Sequence, residues 1–442
     1  MHSIDYEYTD KDITARGGLR LVQELMERID FRGMLDEAGL PERGSNRAYD
    51  SSTIIEGFIV SVILGAKRLA HSGTIRHDEV IRKIFGWKGG MASQSTFCRF
   101  FKRSSLESND EIMRRFNRRW FEMVDIDKHT VDIDSSVISR FGEQEGVSVG
   151  YNPKRHGRAS HHPLIAFSAE ARMVIQSWMR TGDSASATCF DGFMDGLLQV
   201  LPREKIGLVR ADSGFSGHAN LEYLEEREMN YIIASRMHGG LQQKIFEQRN
   251  WHRVCKGIGV TSFKYQAQSW DAPRRIVVVR KNTNQLPKSG GKTLFPDYDA
   301  FARYRYSAFI TNMDLSAELI WEIYRKRADA ENQIKELKYE YGMEGFCSES
   351  LAATEQAFRW VMVAYNLMSL FKQRVMGGKS PPSLATVRFK CIALGSYIVH
   401  RGRSIILKIA AKDRKRDYID ELFVKLGQLE ISPGWFPLHD RG

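Results

Sequence analysis

WEIYRKRADAENQIKELKYEY, residues 321–341, decides how the rest of the chain is read. It is rich in Glu, Lys, Arg, Ala and Leu and meets no Gly or Pro before Gly342, so it predicts one continuous helix. Tyr324, Arg327, Glu331 and Lys338 follow one another by three, four and seven residues. At 3.6 residues per turn their side chains share a narrow arc on one face. A single carboxylate is thereby flanked by a phenol and two cations, which suits a metal-binding carboxylate beside a phosphate backbone. A helix of this composition also reads as a solvated face on which Glu331 pairs with Lys335 or Lys338. The helix alone does not separate these readings; carboxylates elsewhere in the chain must.

Working outward, HTVDIDSSVI at 129–138 alternates, with Val131 and Ile133 on one face and Asp132 and Asp134 on the other. Residues 164–167 and 174–179 are further strands. A helix at 190–201 leads to a short apolar strand, 205–210, that runs into Ala211-Asp212-Ser213-Gly214. A helix at 218–226 and a strand at 230–235 follow. The order β-β-β-α-β-α-β predicts an α/β, ribonuclease-H-like core: three antiparallel strands, then parallel strands joined by crossover helices. Its first and fourth strands are neighbours, so Asp134 and Asp212 meet at one end, and the 321–341 helix packed there adds Glu331. Three converging carboxylates are hard oxygen ligands suited to Mg²⁺ or Mn²⁺. Two such ions about 4 Å apart activate a water or 3′-hydroxyl and stabilise the leaving oxygen of an in-line phosphoryl displacement. Each carboxylate also has a plainer role open to it. Asp132 shares the face of Asp134, so one is the ligand and the other hydrogen-bonds locally. Asp212 suits a turn or helix cap, and Glu331 an ion pair.

The flanking regions are different in kind. Residues 1–125 read as helical, with an amphipathic face at Leu21, Leu25 and Ile29 and a capping box at Thr53 and Glu56 ahead of a helix at 54–67. The short helices 78–85 and 95–103, around the turn WKGGMASQ, resemble a helix-turn-helix that would offer Arg99, Lys102 and Arg103 to DNA. The helix 110–123 buries Ile112, Phe116 and Trp120 and carries Arg114, Arg115, Arg118 and Arg119, either a solvated face or a DNA contact. Within the core region (126–238), the loop GYNPKRHGRASHHP brings Lys154, Arg155 and Arg158 to phosphate. His161 and His162 point to opposite faces and cannot easily share an ion. Residues 239–303 form a β-rich insertion with strands at 263–268 and 276–281 and a flexible loop, NTNQLPKSGGKT. The core resumes at 304–372, where the helix 358–371 is apolar almost all round and hence buried. The tail, 373–442, reads as helical with a basic cluster from Arg401 to Arg416.

Composition agrees with a polyanionic partner. The 442 residues carry a formal net charge of +11, with a pI near 9.3, which favours nucleic acid through counterion release. The apolar run 54–66 is too short to cross a bilayer and reads as a buried helix, so no membrane partner is expected. The N-terminus lacks a signal-peptide pattern. Five scattered cysteines form no CxxC pair, so neither a zinc site nor a disulfide framework is suggested and a cytoplasmic location is expected.

DIDSSV at 132–137, EGVSVGYNPKRHGR at 145–158, RADSGF at 210–215 and the long helix together resemble the DDE transposases of bacterial insertion sequences, most of all the 1380-type elements. The resemblance runs from about Leu19 to the last helices. Tyr324, Arg327, Glu331 and Lys338 match the family's Y-(2)-R-(3)-E-(6)-K signature. It implies that Asp134, Asp212 and Glu331 are the metal-binding catalytic residues, and the Ser-Ser after Asp134 favours it over Asp132. It implies that Tyr324, Arg327 and Lys338 hold phosphates near the transposon end, with Lys335 a further DNA-binding candidate. It also implies binding of double-stranded terminal inverted repeats, excision through a hairpinned end, and transfer into target DNA. Joining two ends implies a homodimer, in a bacterial, nucleoid-associated setting. Members of the wider group stack a flipped base on an aromatic side chain of the insertion, for which Trp251 and Trp270 are the candidates. On the residues alone, a structure-specific nuclease of the same fold and a non-enzymatic DNA-binding regulator stay open.

Overall fold

The computed structural model describes residues 4–45, 48–124, 126–153, 155–282, 303–378 and 381–429. The chain forms two compact units. One takes its residues from Met1–Asp125, Phe141–Gly146 and Ile334–Pro437, the other from Ile126–Arg140 and Val147–Gln333. Residues 239–282 belong to the same unit as the strands at 129–135 and 206–211.

That second unit is built on a nine-stranded sheet. Its strands are β1 (His129–Ser135), β2 (Leu164–Ser168), β3 (Met173–Trp178), β4 (Ile206–Ala211), β5 (Tyr231–Ala234), β6 (His252–Cys255), β7 (Ile258–Tyr265), β8 (Arg274–Asn282) and β9 (Tyr304–Thr311). Their order is β6-β7-β8-β9-β5-β4-β1-β2-β3. β1, β2 and β3 pair antiparallel, while β4 lies parallel to both β1 and β5. The crossovers are the helices Phe190–Val200 and His218–Glu226. This half of the sheet has the strand order and directions expected of a ribonuclease-H-like core. The strands of the insertion continue the same sheet: β8 pairs with β9 over eight positions, and β9 pairs with β5. The physical reason is a shared apolar face. Val260, Val277, Val279 and Phe309 form one buried cluster with Leu208, Ile232 and Ile320, the last from the helix Ala317–Arg325. The expected flexible loop, from residue 283 on, lies outside the described residues.

The first unit is mainly helical. Helix Ser51–Ile63 is buried nearly all round and packs on helix Leu351–Leu370, itself buried along its length. The capping box expected at Thr53 and Glu56 is not formed. The helix starts three residues earlier, at Ser51, and Thr53 and Glu56 instead accept from Arg32, with Glu56 also accepting from Trp87. The expected helical tail is corrected as well. SYIVHRGRSIILKI folds into an antiparallel hairpin, Ser396–Arg401 with Ser404–Ile409, before a last helix at Asp413–Gly427. The β-branched residues around a Gly-containing two-residue turn favour strands over helix. No described helix is long and apolar enough to cross a membrane.

Candidate active site

Parallel pairing of β1 with β4 sets the site. Asp132 faces Arg210 and Ile133 faces Ala211, so the next residues in register are Asp134 and Asp212. Adjacent strands lie about 4.8 Å apart, and both aspartates sit at the carboxyl ends of parallel strands, where α/β sheets open to ligands. Asp134 accepts the Ser135 N–H at 2.9 Å, and its other oxygen lies 3.3 Å from the Arg327 guanidinium. Asp212 caps the short 3₁₀ turn Ser213–Phe215 by accepting the Gly214 N–H at 2.8 Å. Position 214 must be glycine for this. A Cβ there would sit 2.8 Å from Ser186 Cβ and 2.9 Å from the Asp212 carboxylate.

The organising stretch is not one helix. It folds as Ala317–Arg325 and Ala328–Tyr339, broken at Lys326 and Arg327. At the break the Arg327 N–H bonds to the Tyr324 carbonyl at 2.9 Å, an i−3 bond, which frees the Ile323 carbonyl for Arg210. Arg327 turns inward, 5% exposed, and donates to the Ile133 carbonyl at 3.1 Å. The second helix is anchored by an Arg172–Asp329 ion pair at 2.7 Å. Tyr324 also faces inward; its hydroxyl donates to the Ala211 carbonyl at 3.3 Å and its ring packs 4.4 Å from Phe309. The shared arc read from spacing does not survive the break. Tyr324 and Arg327 brace the two aspartate strands, while Glu331 is exposed and, among the described residues, forms neither ion pair nor hydrogen bond.

The electrostatics link the three carboxylates. Burial pushes the Asp134 carboxyl up to about 6; Arg327 opposes the rise, and the negative fields of Asp212 and Glu331 add to it. The ligand oxygens of Asp134, Asp212 and Glu331 are not gathered within 4.8 Å. Among the described residues that compactness belongs to His218, Glu222 and Asp271, where the Arg274 guanidinium 3.4 Å from His218 opposes a second cation. Three oxygen donors whose mutual repulsion raises a buried carboxyl nonetheless fit a divalent cation, which would relieve that repulsion.

Asp132 has a different fate from Asp134. It is fully buried, and both its oxygens accept from Arg210, each at 2.7 Å. Arg210 escaped the sequence reading, although its place two residues before Asp212 in RADSGF was a usable signal. His162, weighed in the sequence only as a metal ligand, instead has its ring bonded to the Ser184 carbonyl at 2.7 Å and the Ser135 hydroxyl at 3.2 Å. Ser135 in turn meets Ser186 at 3.1 Å. His161 is bonded separately, to Arg140 at 3.1 Å, so the two histidines are not joined in one site.

The remaining expected DNA contacts are dispersed. Lys154 lies outside the described residues, Arg158 donates to the Arg140 carbonyl at 2.9 Å, and Arg155 is exposed. In the helical unit, Lys102 pairs with Glu349 at 2.8 Å and Arg103 donates to the Glu42 carbonyl at 2.9 Å. Arg99 is exposed beside Arg76 and His77 in a cleft of about 650 Å³. Helices Glu79–Ile84 and Gln94–Phe101 are separated by nine residues, Phe85 to Ser93, longer than a helix-turn-helix turn. Arg114, Arg115, Arg118 and Arg119 are all within 4.0 Å of glutamates, so this face is ion-paired. Lys338 pairs with Glu344 at 2.9 Å, and Lys335 is exposed. Trp270 is 7% exposed beneath Arg274. It is a core residue with no free face for a base, which corrects its candidacy. Trp251 is half-buried, with Arg280 4.3 Å above its ring, and lines a cleft of about 780 Å³.

The family model described as transposase DDE domain, group 1, matches residues 1–431. No curated protein matches the chain. Among solved structures it is similar to piggyBac transposase in a synaptic complex with hairpin DNA, seen by cryo-electron microscopy. The identity is 12% and the TM-score 0.43, over 84% of this chain and 78% of that one. The chain belongs to the group 1 DDE transposases, enzymes that cleave and join DNA strands with a divalent metal.

Proposed function

We propose that this transposase moves an insertion sequence of the 1380 type by cut-and-paste, acting in the bacterial cytoplasm as a homodimer on paired ends. It binds terminal inverted repeats, opens the ends through a hairpin and joins them to target DNA. The observation that most supports this is the β1–β4 register, which sets Asp134 beside Asp212 with the charge of Glu331 felt at Asp134. These three residues would hold two Mg²⁺ or Mn²⁺ ions. Such ions supply Lewis-acid stabilisation to the attacking and leaving oxygens of an in-line displacement.

The chain's own residues prepare the site. Arg327 favours the ionised form of Asp134, and Tyr324 ties the end of β4 to the helix that leads to Glu331. Residues 1–125 read the repeat, the insertion 239–303 offers Trp251 to a displaced base, and Arg155, Lys335, Lys338 and Arg99 contact phosphate. The test uses purified protein, Mg²⁺ and a labelled duplex bearing the element's own end, resolved on denaturing gels. The expected result is a metal-dependent nick or hairpin at the element boundary that Glu331→Gln abolishes without loss of binding. Equal cleavage by Glu331→Gln, or cleavage in excess chelator, would overturn the assignment.

A further inference from the structure

The hairpin Ser396–Arg401/Ser404–Ile409 has no role in the catalytic reading. Six residue pairs join its strands, and Gly402-Arg403 forms a two-residue turn with Gly402 at φ 60°. A glycine with positive φ at the first turn position matches the right-handed twist of a hairpin. The base of the ribbon is held by Ile13 and Thr14, which pair with Tyr397 and Ser396. From His400 to Ile405 every residue is exposed, Ile405 at 58%.

The ribbon itself, residues 396–409, carries Arg401, Arg403 and Lys408 and no Asp or Glu. Among the described residues, neither Arg401 nor Arg403 has an ion pair or side-chain hydrogen bond. This differs from the arginines of helix Leu106–Met123, each of which has a glutamate partner. Holding two arginines unpaired at the tip of an ordered ribbon favours an anionic partner. A two-stranded ribbon is narrow enough for the major groove of duplex DNA. Guanidiniums on a ribbon tip serve groove edges and phosphates alike.

We propose that this ribbon enters a groove of duplex DNA tip first, with Arg401 and Arg403 at the DNA and Lys408 and Lys412 on the flanking phosphates. The inference rests on the transposase reading above and names a further element of its DNA interface.

The experiment compares full-length wild type with Arg401→Ala/Arg403→Ala on an end-bearing duplex, measuring affinity against salt and oligomeric state by sedimentation. Both side chains are exposed and Gly402 is retained, so the melting temperature should not change. Losing two phosphate contacts should reduce the salt slope by about 1.8 units and weaken binding about 10- to 100-fold at 0.1 M salt. Raising salt from 50 to 200 mM should then cost the wild type about 12-fold more affinity than the variant. Arg401→Lys/Arg403→Lys should recover most of the slope. An unchanged slope and affinity in the alanine variant, with the wild type still nicking its end, would overturn the ribbon proposal alone. A shift in oligomeric state with DNA affinity intact would overturn it in favour of a contact between two copies. Failure of the wild type to bind or nick the end would instead count against the transposase reading.

Discussion

Replacing Arg210 with methionine removes both hydrogen bonds from the fully buried Asp132 carboxylate. In the native protein Arg210 Nε and Nη2 each donate to Asp132 at 2.7 Å, and Nη1 donates to the Ile323 carbonyl at the helix break. Breaking one side of such a buried pair costs about 3–5 kcal/mol, because the remaining charge is left unpaired. At about 2.1 cal/mol/K per residue, unfolding 442 residues in one transition carries about 0.9 kcal/mol/K, so the melting temperature should fall by about 3–6 °C. The loss has a pH signature. Burial already raises the Asp132 carboxyl, and Arg210 pulls it back. Without Arg210 the folded carboxyl rises further and holds its proton to higher pH than the unfolded chain does. The penalty is therefore small near pH 4 and grows as pH rises, so Arg210→Met should be hurt more at pH 8 than at pH 5. Thermal denaturation followed by circular dichroism, at both pH values, measures this. The double variant Asp132→Leu/Arg210→Met should recover at least about 2 kcal/mol of the single loss, since an apolar pair replaces the buried ions. A single variant within about 1 kcal/mol of wild type at both pH values, or a double variant showing the sum of both losses, would refute the claim that this pair braces β1 against β4.

Three further outcomes are expected. In metal-free buffer Asp134 stabilises the fold below about pH 4, and that contribution, about 3 kcal/mol, is lost as pH rises through its folded value of about 6. Asp134→Asn should accordingly melt higher than wild type at pH 8, and Mg²⁺ should raise the melting temperature of the wild type but not of this variant. His129, buried against Ser168 at 2.8 Å, has its pKa lowered to about 4 by burial and Lys205. Its folded form resists protonation, so about 3 kcal/mol is lost as pH falls from 6.5 to 4, and His129→Asn should flatten that acid limb in pH-dependent melts. Removing Arg327 takes away the cation that lowers the Asp134 carboxyl. Arg327→Ala should then move the acid limb of the nicking rate to higher pH, with Arg327→Lys intermediate, whereas an unmoved limb would separate Arg327 from Asp134.

Much of the second unit was legible because its signals are local. Period-two alternation at 129–135, the apolar strand before Asp212, and the helices at 190–200 and 218–226 follow from side chains a few residues apart. Strand order then brought Asp134 and Asp212 together without any coordinates, since β1 and β4 are neighbours in this topology. The tail, expected as helical throughout, departs from that reading at 396–409, where Ile and Val flanking Gly402-Arg403 pair across a turn. The insertion was expected as a small β-rich element, with no pairing partner assigned to its strands. They extend the main sheet, because their apolar face is covered by a helix about forty to sixty residues downstream in a cluster that no local window reveals.

The sequence by itself determined which carboxylates sit at strand ends, and the chemistry that three oxygen donors favour. Only the tertiary structure decided what their neighbours do. It broke the 321–341 stretch at Arg327, turned Tyr324 and Arg327 inward onto the strand carbonyls, paired Asp132 with Arg210 and left Glu331 exposed. The physical reason is that helical spacing fixes directions only while the helix continues. At a break, the buried carbonyls and carboxylates of other strands compete for the same cations, and the cost of leaving those groups unpaired settles where each side chain goes.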